Sequence, residues 1–518
     1  MESHCLDKRH AAITMIGLML GVLMSAMDTT VIGTSMPAII GDLSGMERYS
    51  WPFTAYLLCS TLAVPIFGSL ADSLGRRLVF LAGIVEFLIA SALCGLSRDM
   101  TALIVFRGLQ GLGGGVIISS AFALVGETFP ARERGKYSGL VASMFGISSV
   151  IGPSVGGLLT DGLGWRWSFY VNLPLGVIAI LVLSLGLAGI KEKRSAFKLD
   201  ALGALLFAAS IVPFMLALAL GGRDYPWASL PVVSLLAVSV ASGACFVAVE
   251  RRAASPILPP FLFRDREFVA SALATFFSNA TFYAGILFLP LYAQEVLHLS
   301  ASGSAIAITP MLLVYAASSA LGGQLCSRLG RYRGVGIAAS AIAVLAMGAL
   351  CLIDPSWGAL PVILATVALG VGLGTTTPIF NIAPQNAFDR RYIGTVTSAI
   401  QFFRYVGSAV GSAIFGTLMI ASLSSSLKGL DWGRTPAPIR AALDDPKVLM
   451  NPSAIKAIGA HTPAQYRPFV DALTLRIDGI LAGSIRGVFL AALAFAVLAL
   501  LSVTAYRRGT RLGERARD

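Results

Sequence analysis

Fourteen apolar segments, each about the length of a membrane span, constrain this chain more than any other feature. A helix needs about 20 apolar residues to cross a bilayer. On that ruler the segments fall near 12–38, 51–71, 78–96, 101–125, 138–160, 168–190, 201–221, 229–249, 268–290, 303–324, 334–353, 359–383, 395–420 and 482–506. Hydrocarbon offers no partner to backbone N–H and C=O groups, so each segment must satisfy its own. The expected fold class is therefore an all-α polytopic membrane protein. Only 13% of residues are charged, against about 25% in a soluble domain.

The net charge of +12 would suggest nucleic acid in a soluble protein, but its distribution excludes that reading. Basic residues collect in alternate loops: Arg76/Arg77, Arg132/Arg134/Lys136, Lys191/Lys193/Arg194, Arg251/Arg252, Arg328/Arg331/Arg333 and Arg390/Arg391. Short loops on the other side hold only Arg48, Arg98, Arg166 and Arg223. This asymmetry predicts a multi-pass protein of the plasma (inner) membrane with both termini in the cytoplasm. One outer loop, 421–481, is long, polar and proline-rich, and long loops escape the charge rule. Within it, Phe469, Leu473, Leu475 and Ile480 are spaced as an amphipathic helix. A solvated cap and a part in transport both remain open for this loop. The six cysteines are scattered through apolar runs, and His4, His10, His298 and His461 make no ligand set. No metal, cofactor or enzymatic site is expected.

A short motif occurs twice. Gly68-Ser69-Leu70-Ala71-Asp72-Ser73-Leu74-Gly75-Arg76-Arg77 joins the second and third segments. An Asp and two Arg at such a turn belong at the membrane face, where they can pair. Gly323-Gln324-Leu325-Cys326-Ser327-Arg328-Leu329-Gly330-Arg331 repeats it, with Ser327 where Asp72 stands. Two related halves packed side by side, with a site between them near mid-membrane, leave this trace. The expected organisation is a six-helix bundle over 1–195, two inserted helices over 196–255, and a second six-helix bundle over 256–518.

Ionisable residues inside spans mark the chemistry, because hydrocarbon tolerates them only with a partner or a function. Asp28 lies well inside the first segment, Glu86 in the third and Arg107 in the fourth. An acid that is protonated in one state and charged in another couples protons to motion. A structural reading, with Asp28 satisfied by backbone or by Arg107, stays open. Arg107 opens the run Arg107-Gly108-Leu109-Gln110-Gly111-Leu112-Gly113-Gly114-Gly115, whose glycines allow close helix approach. The fifth segment carries Gly152-Pro153 and Gly156-Gly157, a pair that bends a helix and frees backbone groups.

Together these words resemble the fourteen-helix drug:proton antiporter family of the major facilitator superfamily, and the resemblance covers nearly the whole chain. The turn around Asp72 is similar to the superfamily's cytoplasmic signature loop, and the Gly152-Pro153 pattern to its antiporter motif. Further matching phrases are Trp51-Pro52-Phe53-Thr54-Ala55-Tyr56-Leu57, Trp165-Arg166-Trp167-Ser168-Phe169-Tyr170-Val171-Asn172-Leu173-Pro174, Pro256-Ile257-Leu258-Pro259, Leu289-Pro290-Leu291-Tyr292, Gly394-Thr395 and Phe403-Arg404. Two positions depart from the pattern: Ser327 in the second motif, and Glu86 where relatives carry an apolar residue. The resemblance implies proton-coupled export of bulky hydrophobic, often cationic drugs by alternating access. Its partners would be drugs, protons and the lipid bilayer, without nucleic acid, and a periplasmic adaptor stays open. Export of one lipid, metabolite or antibiotic is the alternative, followed by a receptor that keeps the fold without transport. In the superfamily, segments 1, 4, 9 and 12 line the cavity. This implies drug contacts from Gln110, Asn279, Tyr283, Phe277, Phe282, Phe380 and Asn381. Proton coupling falls to Asp28, Arg107 and Glu86. Conformational switching falls to Gly68, Asp72, Gly75, Arg76 and Arg77, with Gly152, Pro153 and Gly156.

Overall fold

Each of the fourteen apolar segments coincides with a helix long and apolar enough to cross a membrane. The computed structural model describes residues 8–43, 46–186, 200–222, 224–253, 255–297, 301–353, 357–428 and 467–507. In chain order the helices are α1 (Lys8–Leu43), α2 (Trp51–Leu74), α3 (Arg76–Gly95), α4 (Met100–Thr128), α5 (Arg134–Leu163), α6 (Trp167–Tyr170) and α7 (Asn172–Gly186). They continue with α8 (Ala201–Leu220), α9 (Leu230–Glu250), α10 (Arg266–Leu291), α11 (Ala301–Leu329), α12 (Arg333–Leu352), α13 (Ala359–Ala387), α14 (Ile393–Lys428) and α15 (Arg467–Thr504). The short α6 and α7 together make the sixth span. No β-strand occurs among the described residues, apart from an isolated bridge between Gly221 and Tyr225.

Several helices outrun the apolar segments that predict them. Extending a nucleated helix adds one hydrogen bond per residue, so the helix does not stop where hydrocarbon does. The expected loop 421–481 shortens for this reason, because α14 continues to Lys428 and α15 begins at Arg467. The amphipathic stretch foreseen before Ile480 is thus helical from Arg467 and runs unbroken into the last span. Residues 429–466 of that loop lie outside the described residues.

The helices pack in two groups. In the first, α1 lies on α5 and α7 while α4 is wedged between α2 and α3. In the second, α10 lies on α14 and α15, α13 joins α11 to α12, and α12 meets α15. The groups meet through α5 on α11 and through α14 on α2 and α4. Helices α8 and α9 pair with each other, and α8 touches α2 and α14 at their seam. Leucines such as Leu158, Leu185, Leu205, Leu230 and Leu345 are exposed around the outside. In water such a surface would drive aggregation, whereas in a bilayer it faces lipid.

Glycines set the closest approaches. A methyl group on Gly111 would strike the backbone of Tyr56, and one on Gly115 the backbone of Ser60, which seats α4 on α2. At the turn after α2, Gly75 has φ 101°, a left-handed conformation that only glycine adopts without strain.

Candidate functional site

A closed polar cluster sits inside the first helix group. Arg107 Nη1 of α4 donates to Asp28 Oδ2 of α1 at 2.5 Å, with both side chains fully buried. Gln110 Nε2 and Asn172 Nδ2 each donate to Asp28 Oδ1 at 2.8 Å, and both also reach Ser91 Oγ, at 3.2 Å and 3.0 Å. Arg107 donates a second bond to Gln110 Oε1 at 2.7 Å and lies over the Tyr56 ring, 4.3 Å from its centroid. Asp28 therefore has donors on both oxygens, from α4 on Oδ2 and from α4 and α7 on Oδ1. The guanidinium keeps Nε and Nη2 without hydrogen-bond partners, which the ring of Tyr56 covers in part. A buried carboxylate held this way has a single countercharge, and protonating it would release that countercharge.

Glu86 stands apart from the cluster. It is half-buried on α3 between the lipid-exposed Val85 and Ile89, with its Oε2 against Gly113 of α4 and without a hydrogen bond. A methyl group at Gly113 would strike that oxygen.

A narrow cavity of about 10 Å³ lies in the second group. Its walls include Asn279, Phe282, Tyr315, Thr377, Phe380, Asn381, Gln401 and Arg404 from α10, α11, α13 and α14. Gln401 Nε2 donates to Asn381 Oδ1 at 2.9 Å, and the hydroxyls of Tyr315 and Thr377 are 2.9 Å apart. Of the expected drug contacts, Asn279, Phe282, Phe380 and Asn381 meet here. Gln110 does not, because its amide is spent on Asp28 and Arg107. Phe277 turns away to stack edge-on with Phe276 and Phe495 of α15. Tyr283 sits beside Phe282, outside the cavity wall. A second cavity of about 290 Å³ opens between α2, α8 and α14, with Leu57, Leu58, Met215 and Ala413 among its apolar walls. Trp227 Nε1, in the α8–α9 loop, is tied to Thr417 Oγ1 beside it at 3.0 Å.

The two copies of the repeated motif cap opposite helices. Asp72, at the end of α2, accepts from the backbone N–H of Gly394 (3.1 Å) and Thr395 (2.8 Å) and from the Thr395 hydroxyl (2.7 Å) at the start of α14. Ser327, near the end of α11, accepts from the backbone N–H of Lys136 at 3.1 Å in the first turn of α5. Each motif thus reaches across to the other helix group. A carboxylate at a helix N-terminus meets the positive end of the helix dipole, and a serine offers much less. Arg76 fixes Asp72 from its own side, with Nη2 2.6 Å from Oδ1, and pairs with Glu127 of α4 at 2.7 Å. A side chain at Gly68 would collide with Ser398 of α14. Gly152 and Gly156 play the same part inside the first group, against Thr30 and Thr34 of α1, while Pro153 points outward.

A sequence profile of the Major Facilitator Superfamily matches residues 18–412. The chain belongs to the major facilitator superfamily. Among curated relatives in it, Multidrug transporter protein MdtP of Bacillus subtilis is 39% identical over 80% of this chain and 76% of its own length. Multidrug resistance protein 3 of the same organism is 32% identical over 97% and 96%. Among solved structures, the human organic anion transporter MFSD10 superposes with a TM-score of 0.58 over 95% of this chain and 99% of its own, at 16% identity. At that identity the likeness concerns the fold alone.

Within this superfamily member the sequence marked Asp28 and Arg107 but not their companions. Asn172, Ser91 and Tyr56 carry no charge to single them out in an apolar run. The one available signal was an Asn and a Tyr at apolar stretches already noted as matching phrases. Arg404 was likewise visible only as part of such a phrase.

Proposed function

We propose that the chain exports bulky hydrophobic, drug-like molecules across the cytoplasmic membrane by alternating access, in exchange for protons carried by Asp28. The observation that carries this reading is the Asp28–Arg107 pair, sealed among Gln110, Asn172 and Ser91 and separate from the cavity. Proton uptake by Asp28 would free Arg107 and loosen α1 from α4, so one proton could change how helices pack. The names of the two Bacillus relatives support drugs as cargo. In this reading α1–α7 and α10–α15 are the moving halves, α8 and α9 ride on their seam, and the ends bearing Asp72 and Ser327 face the cytoplasm. Export would then start from a cavity that closes on that side.

The test is efflux of a hydrophobic dye from proteoliposomes under an imposed pH gradient. Acid on the side that receives the dye should drive transport, and a protonophore should stop it. Dye movement of equal rate with and without the gradient overturns the coupling.

A further inference from the structure

The cavity in the second helix group contains one formal charge among its described walls, and it is positive. Arg404 sits about three turns into α14, deep in a span, and lines the cavity with Asn279, Tyr315, Asn381 and Gln401. Among the described residues, no Asp or Glu lines this cavity. The contrast with Arg107 is direct, since that guanidinium has Asp28 at 2.5 Å. For Arg404, no described side chain forms an ion pair or accepts a hydrogen bond from its guanidinium. Its guanidinium carbon lies 5.3 Å from the centroid of the Phe145 ring, on α5 of the other helix group. Tyr283, which interacts with Ser408, is a further neighbour and brings a phenol, not a carboxylate. Gln401 Oε1 and Thr275 Oγ1 are buried in the same wall without hydrogen bonds. A guanidinium presents a planar fork of donors that suits an oxyanion in two-point contact. Phe282 and Phe380 line the same walls, and parting of the two helix groups would widen this cavity, now about 10 Å³ and room for a single water, to seat an apolar body between their rings.

We infer that this cavity binds amphiphilic organic oxyanions, with a carboxylate, sulfonate or phosphate on Arg404 and the apolar body against the aromatic wall. The inference rests on the reading of the chain as an exporter of hydrophobic molecules and adds a charge class to it. It also makes Arg404 a contact between the halves, because a bound anion would replace Phe145 as its partner. An anionic drug and an anionic lipid headgroup share this chemistry.

The test uses the full chain in nanodiscs of zwitterionic lipid and three probes with one fluorescent body. Dansylglycine is anionic, dansylglycinamide is neutral and dansylethylenediamine is cationic. Fluorescence anisotropy should show dansylglycine bound roughly ten- to hundredfold tighter than dansylglycinamide, the range for a hydrogen bond to a charged group. The cation should bind no better than the amide. Arg404→Gln should erase the preference for the anion over the amide, and an unchanged gel-filtration profile and thermal midpoint show that the variant is folded. Arg404→Lys, which keeps the charge and loses the fork, should retain part of the preference. Adding phosphatidylglycerol to the nanodiscs separates the sources: displacement of dansylglycine, lost in Arg404→Gln, assigns the site to lipid, and no displacement assigns it to soluble anions. Equal affinity for all three probes, or a preference that survives Arg404→Gln, overturns the inference. Neither result depends on proton-driven dye efflux, so the two readings fail separately.

Discussion

At the scale of single residues, Asp28 and Arg107 are one unit, and a variant of either must be read with that in mind. Removing one partner of a buried ion pair costs about 3–5 kcal/mol, because a lone charge stays behind. Asp28→Asn should therefore lower the thermal stability of the purified protein and abolish transport driven by a pH gradient. Asp28→Asn combined with Arg107→Gln should recover most of the stability and none of the coupling. If the double variant regains gradient-driven efflux, Asp28 is not the proton carrier. Glu86 is a different case, since it is half-buried, outside the cluster and without a countercharge. Glu86→Gln should leave efflux within a few-fold of the parent, and complete loss would place Glu86 on the proton path. The charged pair was legible in the sequence because hydrocarbon tolerates an ion only with a partner or a function. Asn172, Ser91 and Tyr56 were not, because such residues are common in spans and become partners only through helix rotation, which composition does not encode. The same ignorance of rotation put Gln110 and Phe277 among the expected drug contacts. The fold turned one onto Asp28 and the other onto Phe495.

At the scale of elements, the repeated motif is a pair of helix caps of unequal strength. Asp72 holds the start of α14 with three hydrogen bonds and a full charge, and Ser327 holds the start of α5 with one bond. The sequence already implied this inequality, because Ser327 stands where a carboxylate would. What each motif grips was not readable, since the partner lies hundreds of residues away. Bonds of this kind are worth about 1 kcal/mol apiece at a wet helix end, enough to bias a two-state equilibrium severalfold. Asp72→Asn should slow turnover several-fold with dye affinity retained, as read by binding and efflux on the same preparation. Loss of binding with unchanged turnover of bound dye would move Asp72 into the binding site. Ser327→Asp should act in the opposite sense on the structure, tightening α11 on α5, and it too should slow turnover because release becomes harder.

At the scale of the whole molecule, the number of spans and the two-half plan followed from apolar length and from the repeat. The packing did not. The helices are apolar on nearly every side, so hydrophobic periodicity leaves open which face meets which neighbour. Nothing in the sequence placed α8 against the α2–α14 seam. The contacts that join the two groups at α2–α14 and α5–α11 include both motif-bearing ends. Gly68 lies on Ser398, Gly135 on Gly323, and Gly139 on the backbone of Ser319. On α5 the glycines further along, Gly152 and Gly156, face α1 instead. The halves are thus zipped from the motif-bearing ends as far as Gly146, which lies on Leu312 and Ala316 of α11, and past it the glycines of α5 turn to α1. Opening those ends must separate α5 from α11. Cysteines at Lys136 and Ser327, in a background where the native cysteines are replaced by serine, should join through a short thiol cross-linker. The cross-link should stop dye export, and reduction should restore it. Imposing the driving pH gradient before cross-linking should change the yield, because cycling populates the open ends. Undiminished export by the cross-linked protein would mean that α5 and α11 stay together throughout the cycle, and that the moving boundary lies elsewhere in the molecule.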